Sequence, residues 1–155
     1  MAVENLPADD HILRLVPWQR VRKAEDDNVT GILGEAFRLK ENETALSVNW
    51  LERVSGTLEE QLRQAVRLLR DTQQSKKIGS KSRLARLQVA TTKQVASRNQ
   101  AHIRIVHAPI DENEPHSSIR QLPKDNDELL EALATEAIID HFQCGPLLKE
   151  IVDPA

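Results

Sequence analysis

Aromatic residues are scarce in this chain: no Tyr, two Phe (Phe37, Phe142) and two Trp (Trp18, Trp50) among 155 residues. The core must therefore be built from Leu, Ile, Val and Ala. Cysteine is nearly absent as well. Cys144 stands alone, which excludes an intrachain disulfide and a cysteine-based structural zinc site. Five scattered glycines make no phosphate-cradling loop. No apolar run approaches the roughly 18 residues of a membrane span, and the acidic start Met1–Asp10 has no apolar core of a signal peptide. The sequence reads as a cytoplasmic protein with no membrane association, and it offers no cofactor motif. Its hydrophobic (39%) and charged (29%) contents are those of an ordinary globular domain large enough to bury a core.

What the chain does have is an uneven charge. Gln61–Ala108 carries eleven Lys and Arg against one acid, Asp71, a net of +10; the remainder carries 10 against 23, a net of −13, giving the total of −3. Such asymmetry points to an anionic partner or to one half of the protein facing the other.

Residues 1–10 read as a mobile arm ahead of a single domain over 11–155. Ile12–Val16, ended by Pro17, suits a strand. Ile32–Leu39 reads as a strand broken by Gly34, and Ala45–Trp50 as another. Thr57-x-x-Glu60 has the capping-box spacing of a helix start. Behind it Leu58, Leu62, Ala65, Val66 and Leu69 form one apolar stripe, with Arg63, Arg67 and Arg70 on the far side. The spacing predicts a helix over 57–71. A hydrophilic connector spans 73–81. Alternation predicts strands near 84–89 and 102–107, with a short helix over 92–98 between them and a polar loop over 111–118. Asp125 and Asn126 are caps for a helix over 127–142, stopped by Gly145–Pro146. Leu147–Val152 is an apolar tail that docks back or meets a partner. The fold expected is α+β: a small, mainly antiparallel sheet packed by two amphipathic helices.

His11–Pro17, Glu35–Arg38, Leu46–Trp50, Val106–Pro109 and Asn113–Ile119 together resemble a group of small uncharacterised bacterial proteins over about residues 11–119. That resemblance implies a bacterial origin and no particular activity. In element order the chain also resembles small ADP-ribosyltransferase-type folds. That likeness implies a nucleotide cleft with Arg14 (or His11) on the first strand and Ser47 on the second. No Glu between Glu60 and Glu112 stands where a third site residue would fall.

The function expected first is a non-enzymatic accessory protein. Its basic residues Arg63, Arg67, Arg70, Lys76, Lys77, Lys81 and Arg83 would meet an anionic partner, either an acidic protein surface or nucleic acid. Phosphate contacts by Lys and Arg give sequence-independent affinity, although the basic segment has no aromatic stacking platform of its own. The alternatives are a nucleotide-processing enzyme of ADP-ribosyltransferase type and a structural subunit that dimerises through its C-terminal helix. His107, Asp111, Glu112, Glu114 and His116 match no strict metal motif and read as a hydrated surface turn, so no metal is expected. Cys144, near His141, reads as a packing cysteine at a helix end, where the helix dipole would disfavour a thiolate.

Overall fold

A computed structural model describes residues 4–72 and 78–151. Its elements, in order, are β1 (His11–Val16), β2 (Val21–Lys23), β3 (Val29–Ile32), β4 (Ala45–Trp50), α1 (Leu58–Thr72), β5 (Arg83–Gln88), α2 (Val89–Arg98), β6 (Arg104–His107), β7 (His116–Arg120), α3 (Asp127–Ala132), β8 (Ile138–Gln143) and α4 (Cys144–Ile151). Six strands form one sheet in the order β6-β7-β4-β1-β5-β8, with every neighbouring pair antiparallel, and β2 and β3 form a separate hairpin. The α+β expectation holds.

Alternation along the strands splits the core in two. Ile12, Val16, Leu46, Val48, Ala85, Leu87, Ile105 and Ile119 face one way and pack under α2, α3 and the 3₁₀ turn Gly34–Phe37. Leu13 and Leu84 face the other way and meet Leu62, Ala65 and Val66 of α1 and Cys144 and Leu147 of α4. The two helices on this second face shelter the β1-β5-β8 half of the sheet. On the β4-β7-β6 half the same face carries Ser47, Asn49, His116, Ser118, Arg104 and Arg120. Polar residues predominate on that half, with Val106 buried among them.

Thr57 and Glu60 form the expected capping box: Glu60 N donates to Thr57 Oγ1 at 3.2 Å, and Thr57 N donates to Glu60 Oε1 at 3.0 Å. Asn126 caps α3 by accepting from Leu129 N at 3.0 Å.

Several expectations fail, each for a tertiary reason. Residues 4–10 are no free arm. Leu6 is buried and its N–H donates to Ile105 O, while His107 N donates to Glu4 O, so this segment covers the β6 edge of the sheet. The expected strand over 32–39 turns into the 3₁₀ segment at Gly34, where a Cβ would lie 2.8 Å from the backbone N of Glu131. Helix α2 begins at Val89 rather than near 92. Residues 116–118, expected in the polar loop, belong instead to strand β7, paired between β4 and β6.

The expected helix over 127–142 ends early. It passes through a π turn, Leu133–Ala137, and Ile138–Gln143 then pairs with β5 as the outer strand β8. Gly145–Pro146 consequently opens α4 instead of closing a helix. Pro146 sits in its first turn, where a missing N–H costs nothing, and Gly145 N donates to Ser80 O at 2.9 Å. Leu147 and Leu148 pack back into the second core cluster of their own chain.

Candidate anion-binding site

The basic face of α1 stands where the spacing put it, with Arg67 and Arg70 exposed and Arg63 half-buried opposite the buried stripe. Its charge is largely answered nearby. Arg63 Nη2 donates to Glu59 Oε1 at 2.8 Å, and Arg70 Nε donates to Asp71 Oδ1 at 3.2 Å. A groove of about 1110 Å³ runs between α1 and the 109–115 loop. Arg63 and Arg67 line one side of it, and Asp111, Glu112 and Glu114 belong to the loop on the other. Arg53 forks onto Glu114 at 2.8 and 2.9 Å, and the hydrogen-bonded guanidinium holds that carboxyl below the usual carboxylate range. A groove lined by both signs makes a weak site for a pure anion. Lys76 and Lys77 lie outside the described residues.

Lys81 and Arg83 stand differently. Register sets Arg83 opposite Val16, so the chain just before β5 meets the chain just after β1. There Pro17 ends β1 and the 3₁₀ turn Trp18–Arg20 begins. The ammonium of Lys81 thus comes to lie 5.2 Å from the centre of the Trp18 ring. The β2–β3 hairpin brings Lys23 to the same ring at 4.2 Å, its Nζ also donating to Trp18 O at 2.8 Å. On the other side of Arg83, strand β8 supplies His141, whose Nδ1 is 3.0 Å from Arg83 Nη1. Burial and the Arg83 charge lower the His141 pKa, with Asp140 opposing. The ring is therefore neutral at pH 7: Nδ1 accepts from Arg83, which leaves the proton on Nε2 as a donor.

Trp18, Lys81, Arg83 and His141 line a cavity of about 540 Å³ together with Asp27, Asn28, Val29 and Gln143. Lys23, Lys81 and Arg83 make no ion pair with a carboxylate among the described residues. Among the described residues the only acid on the lining is Asp27, at the hairpin turn. The Nε of Arg83 is buried without a hydrogen-bond partner among those residues. Buried N–H groups are rarely left so unless something else meets them. The arrangement suits an anion held by charge-assisted hydrogen bonds, beside an aromatic ring able to pack a flat group.

Sequence reasoning found Lys81 and Arg83 but missed Trp18, Lys23 and His141. Nothing in their spacing links three segments of the chain; only the strand pairing does.

Arg14 and Ser47 both line a cavity of about 320 Å³, but their side chains do not meet. Arg14 Nε donates to Ala36 O at 2.9 Å and its Nη1 to the carbonyl of Ser47 at 2.8 Å. Its side chain, however, leaves β1 on the face of Ile12 and Val16, whereas the Ser47 hydroxyl leaves β4 on the opposite face to Leu46 and Val48. Burial lowers the Arg14 guanidinium to about 10, with Glu43 opposing, and its bonds tie the 3₁₀ turn to the sheet. His11 is engaged by Glu52, Nδ1 to Oε2 at 2.5 Å.

Of the histidines and acids near the 109–115 loop, His107 meets Glu114, with Nε2 3.2 Å from the carboxylate Oε2, but His116 turns away toward β4. His107 Nε2 meets Glu114 O at 2.8 Å, while His116 Nε2 meets the Ser47 hydroxyl at 3.2 Å. Among the described residues no group of three or more His, Cys, Asp or Glu could hold a metal. Nor is any helix there long and apolar enough to cross a membrane. Cys144 is buried at the start of α4 rather than at the end of a helix, and burial pushes its thiol up to about 12. No protein family, curated protein or solved structure matches the chain.

Proposed function

We propose that this chain is an accessory protein that binds single-stranded nucleic acid through the Lys23–Trp18–Lys81–Arg83 cluster. One observation carries the proposal: two ammonium groups, Lys23 and Lys81, flank the half-buried Trp18 ring, and Lys81 and Arg83 line with it a cavity of about 540 Å³, none of the three cations having a carboxylate partner among the described residues. Phosphates answer the cations, and the ring gives a base a flat surface that is indifferent to sequence. The α1 arginines, two of the three paired with acids and two lining a groove that faces acids, contribute to the field around the site rather than to its contacts.

Anisotropy of a labelled single-stranded oligonucleotide across a salt series tests this. Three phosphate contacts give a slope of about −2 in log K against log salt, from roughly −0.7 per contact on a single strand. Replacing Lys23, Lys81 and Arg83 together by Gln should abolish binding, while reversing the charge of Arg63, Arg67 and Arg70 should leave most of it. An absence of binding at low salt, or binding that survives the triple replacement, overturns the proposal. Binding of poly-glutamate but not of oligonucleotide moves the same cluster to an acidic protein partner.

A further inference from the structure

The polar half of the second sheet face holds a different constellation. Ser47 lies in mid-β4 opposite Ser118, and His116 lies opposite Asn49, so the His116 ring is the diagonal neighbour of Ser47 on one face. His116 Nδ1 is 2.6 Å from the carbonyl oxygen of Ala108, an acceptor only, so Nδ1 carries the ring proton. Nε2 is thereby left as a lone pair, 3.2 Å from Ser47 Oγ. This is the geometry of a hydroxyl nucleophile beside a base whose tautomer a third group fixes.

Ser47 is exposed, and it lines a cavity of about 320 Å³ whose apolar lining includes Leu13, Leu15, Leu69 and Ile110. Asn49 and Asn113 line the same cavity. Each donates one amide hydrogen to the other at 3.1 Å, leaving each carboxamide a second N–H. A volume near the low end of ligand pockets fits a short acyl chain.

We propose that Ser47 and His116 are a catalytic pair that hydrolyses small carboxylic esters. The Ser47 proton passes to His116 Nε2 as Oγ bonds to the ester carbonyl carbon. The displaced π pair resides on the carbonyl oxygen, which accepts from the free carboxamide N–H of Asn49 or Asn113. Collapse breaks the bond to the alcohol oxygen, which takes the proton from His116. Water then gives a proton to the same nitrogen and attacks the acyl carbon, releasing the acid and restoring Ser47. Ester and water are consumed, acid and alcohol are formed, and no other reactant is needed.

The test uses the full chain with a fluorophosphonate probe, read by peptide mass spectrometry, and p-nitrophenyl acetate and butyrate as substrates. One adduct on Ser47 and turnover of at least one of the esters are expected. Ser47→Ala, a small change at an exposed position, should remove both. His116→Gln should slow labelling by about 100-fold or more, the usual contribution of a general base. Ser118→Ala, the serine directly across the ladder, should leave labelling unchanged. No adduct at Ser47, labelling at an unchanged rate in His116→Gln, or ester turnover that persists in Ser47→Ala each overturns the proposal. Oligonucleotide binding is measured separately on the same variants, so this site and the cationic cluster stand or fall independently.

Discussion

Gly34→Ala probes the contact that redirects the chain between β3 and β4. A Cβ built there lies 2.8 Å from Glu131 N, 2.9 Å from Leu130 C and 3.1 Å from Glu131 Cα, all backbone atoms of α3. Non-bonded heavy atoms rest at about 3.5–4.0 Å, so the 3₁₀ turn and α3 must separate by roughly 0.7 Å. Helix α3 cannot yield freely, because Leu129 and Leu130 are fully buried on it. Forcing extra volume into a packed interior costs about 1–3 kcal/mol. The stiffer unfolded chain of an Ala variant returns about 0.4–1 kcal/mol. The net expectation is a loss of about 1–2 kcal/mol, or a fall in Tm of about 2–8 °C for a domain of this size. Urea denaturation followed by tryptophan fluorescence measures it, with Gly79→Ala as the control. Among the described residues a Cβ at Gly79 meets only Ser82 Oγ, at 3.5 Å, so that variant should match the parent or be slightly more stable. A Gly34→Ala variant within about 0.5 kcal/mol of the parent would refute the close approach of the turn to α3.

Two further outcomes follow from the neighbourhood of Arg83. Since burial and Arg83 lower the His141 pKa from its usual 6.5, the unfolded chain binds this proton more readily than the folded one. The His141 contribution is therefore complete above the unfolded value and is lost as pH falls below it. An NMR titration should place its midpoint below 6.5, and Arg83→Gln should move it upward; a midpoint at or above 6.5 contradicts the burial described. Cys144, with its thiol near 12 against the ordinary 9.0, has about one molecule in ten thousand as thiolate at pH 8, instead of about one in ten. Ellman's reagent should label it only as fast as the protein opens and stoichiometrically in denaturant; prompt labelling of the native chain would place the thiol at the surface.

The sequence was most informative where local pattern and tertiary role agree. Helix α1 announces itself through its capping box and its single apolar stripe, and β1, β4 and β6 through short apolar runs that pair as central or sheltered strands. Strand β7 carries no such signal. His116-Ser-Ser-Ile-Arg120 has one large apolar residue, Ile119, because its other face looks onto the open half of the sheet, and pairing on both sides holds it extended. The α3–β8 boundary is hidden for the opposite reason. Leu129, Leu130, Leu133, Ala137 and Ile138 continue a helical period, and only the ladder to β5, with Arg86 forked onto Asp140 at 2.9 and 2.6 Å, draws 138–143 out of it. The candidate site shares that invisibility, since His141 belongs to the segment whose secondary structure the sequence misstates.

The same ladder explains why the basic middle of the chain does not act as one surface. Along β5, Arg86 finds Asp140 opposite on β8, and that pair is closed within the sheet. Arg98 lies 3.7 Å from Glu136, Arg63 reaches Glu59 and Arg70 reaches Asp71, so with Arg86 four of the eleven cations of residues 61–108 are met by acids a few ångströms away. Arg83, three residues before Arg86, has Gln143 opposite and His141 on the diagonal, and neither brings a negative charge. Lys81 has an indole in place of a carboxylate. The field available to a partner is set by the cations left over after the fold has made its own pairs. Of the cations left over, Lys81 and Arg83 gather with Lys23 beside Trp18, at the end of the sheet where two loops and an outer strand meet, and away from the helix that carries the longest row of arginines.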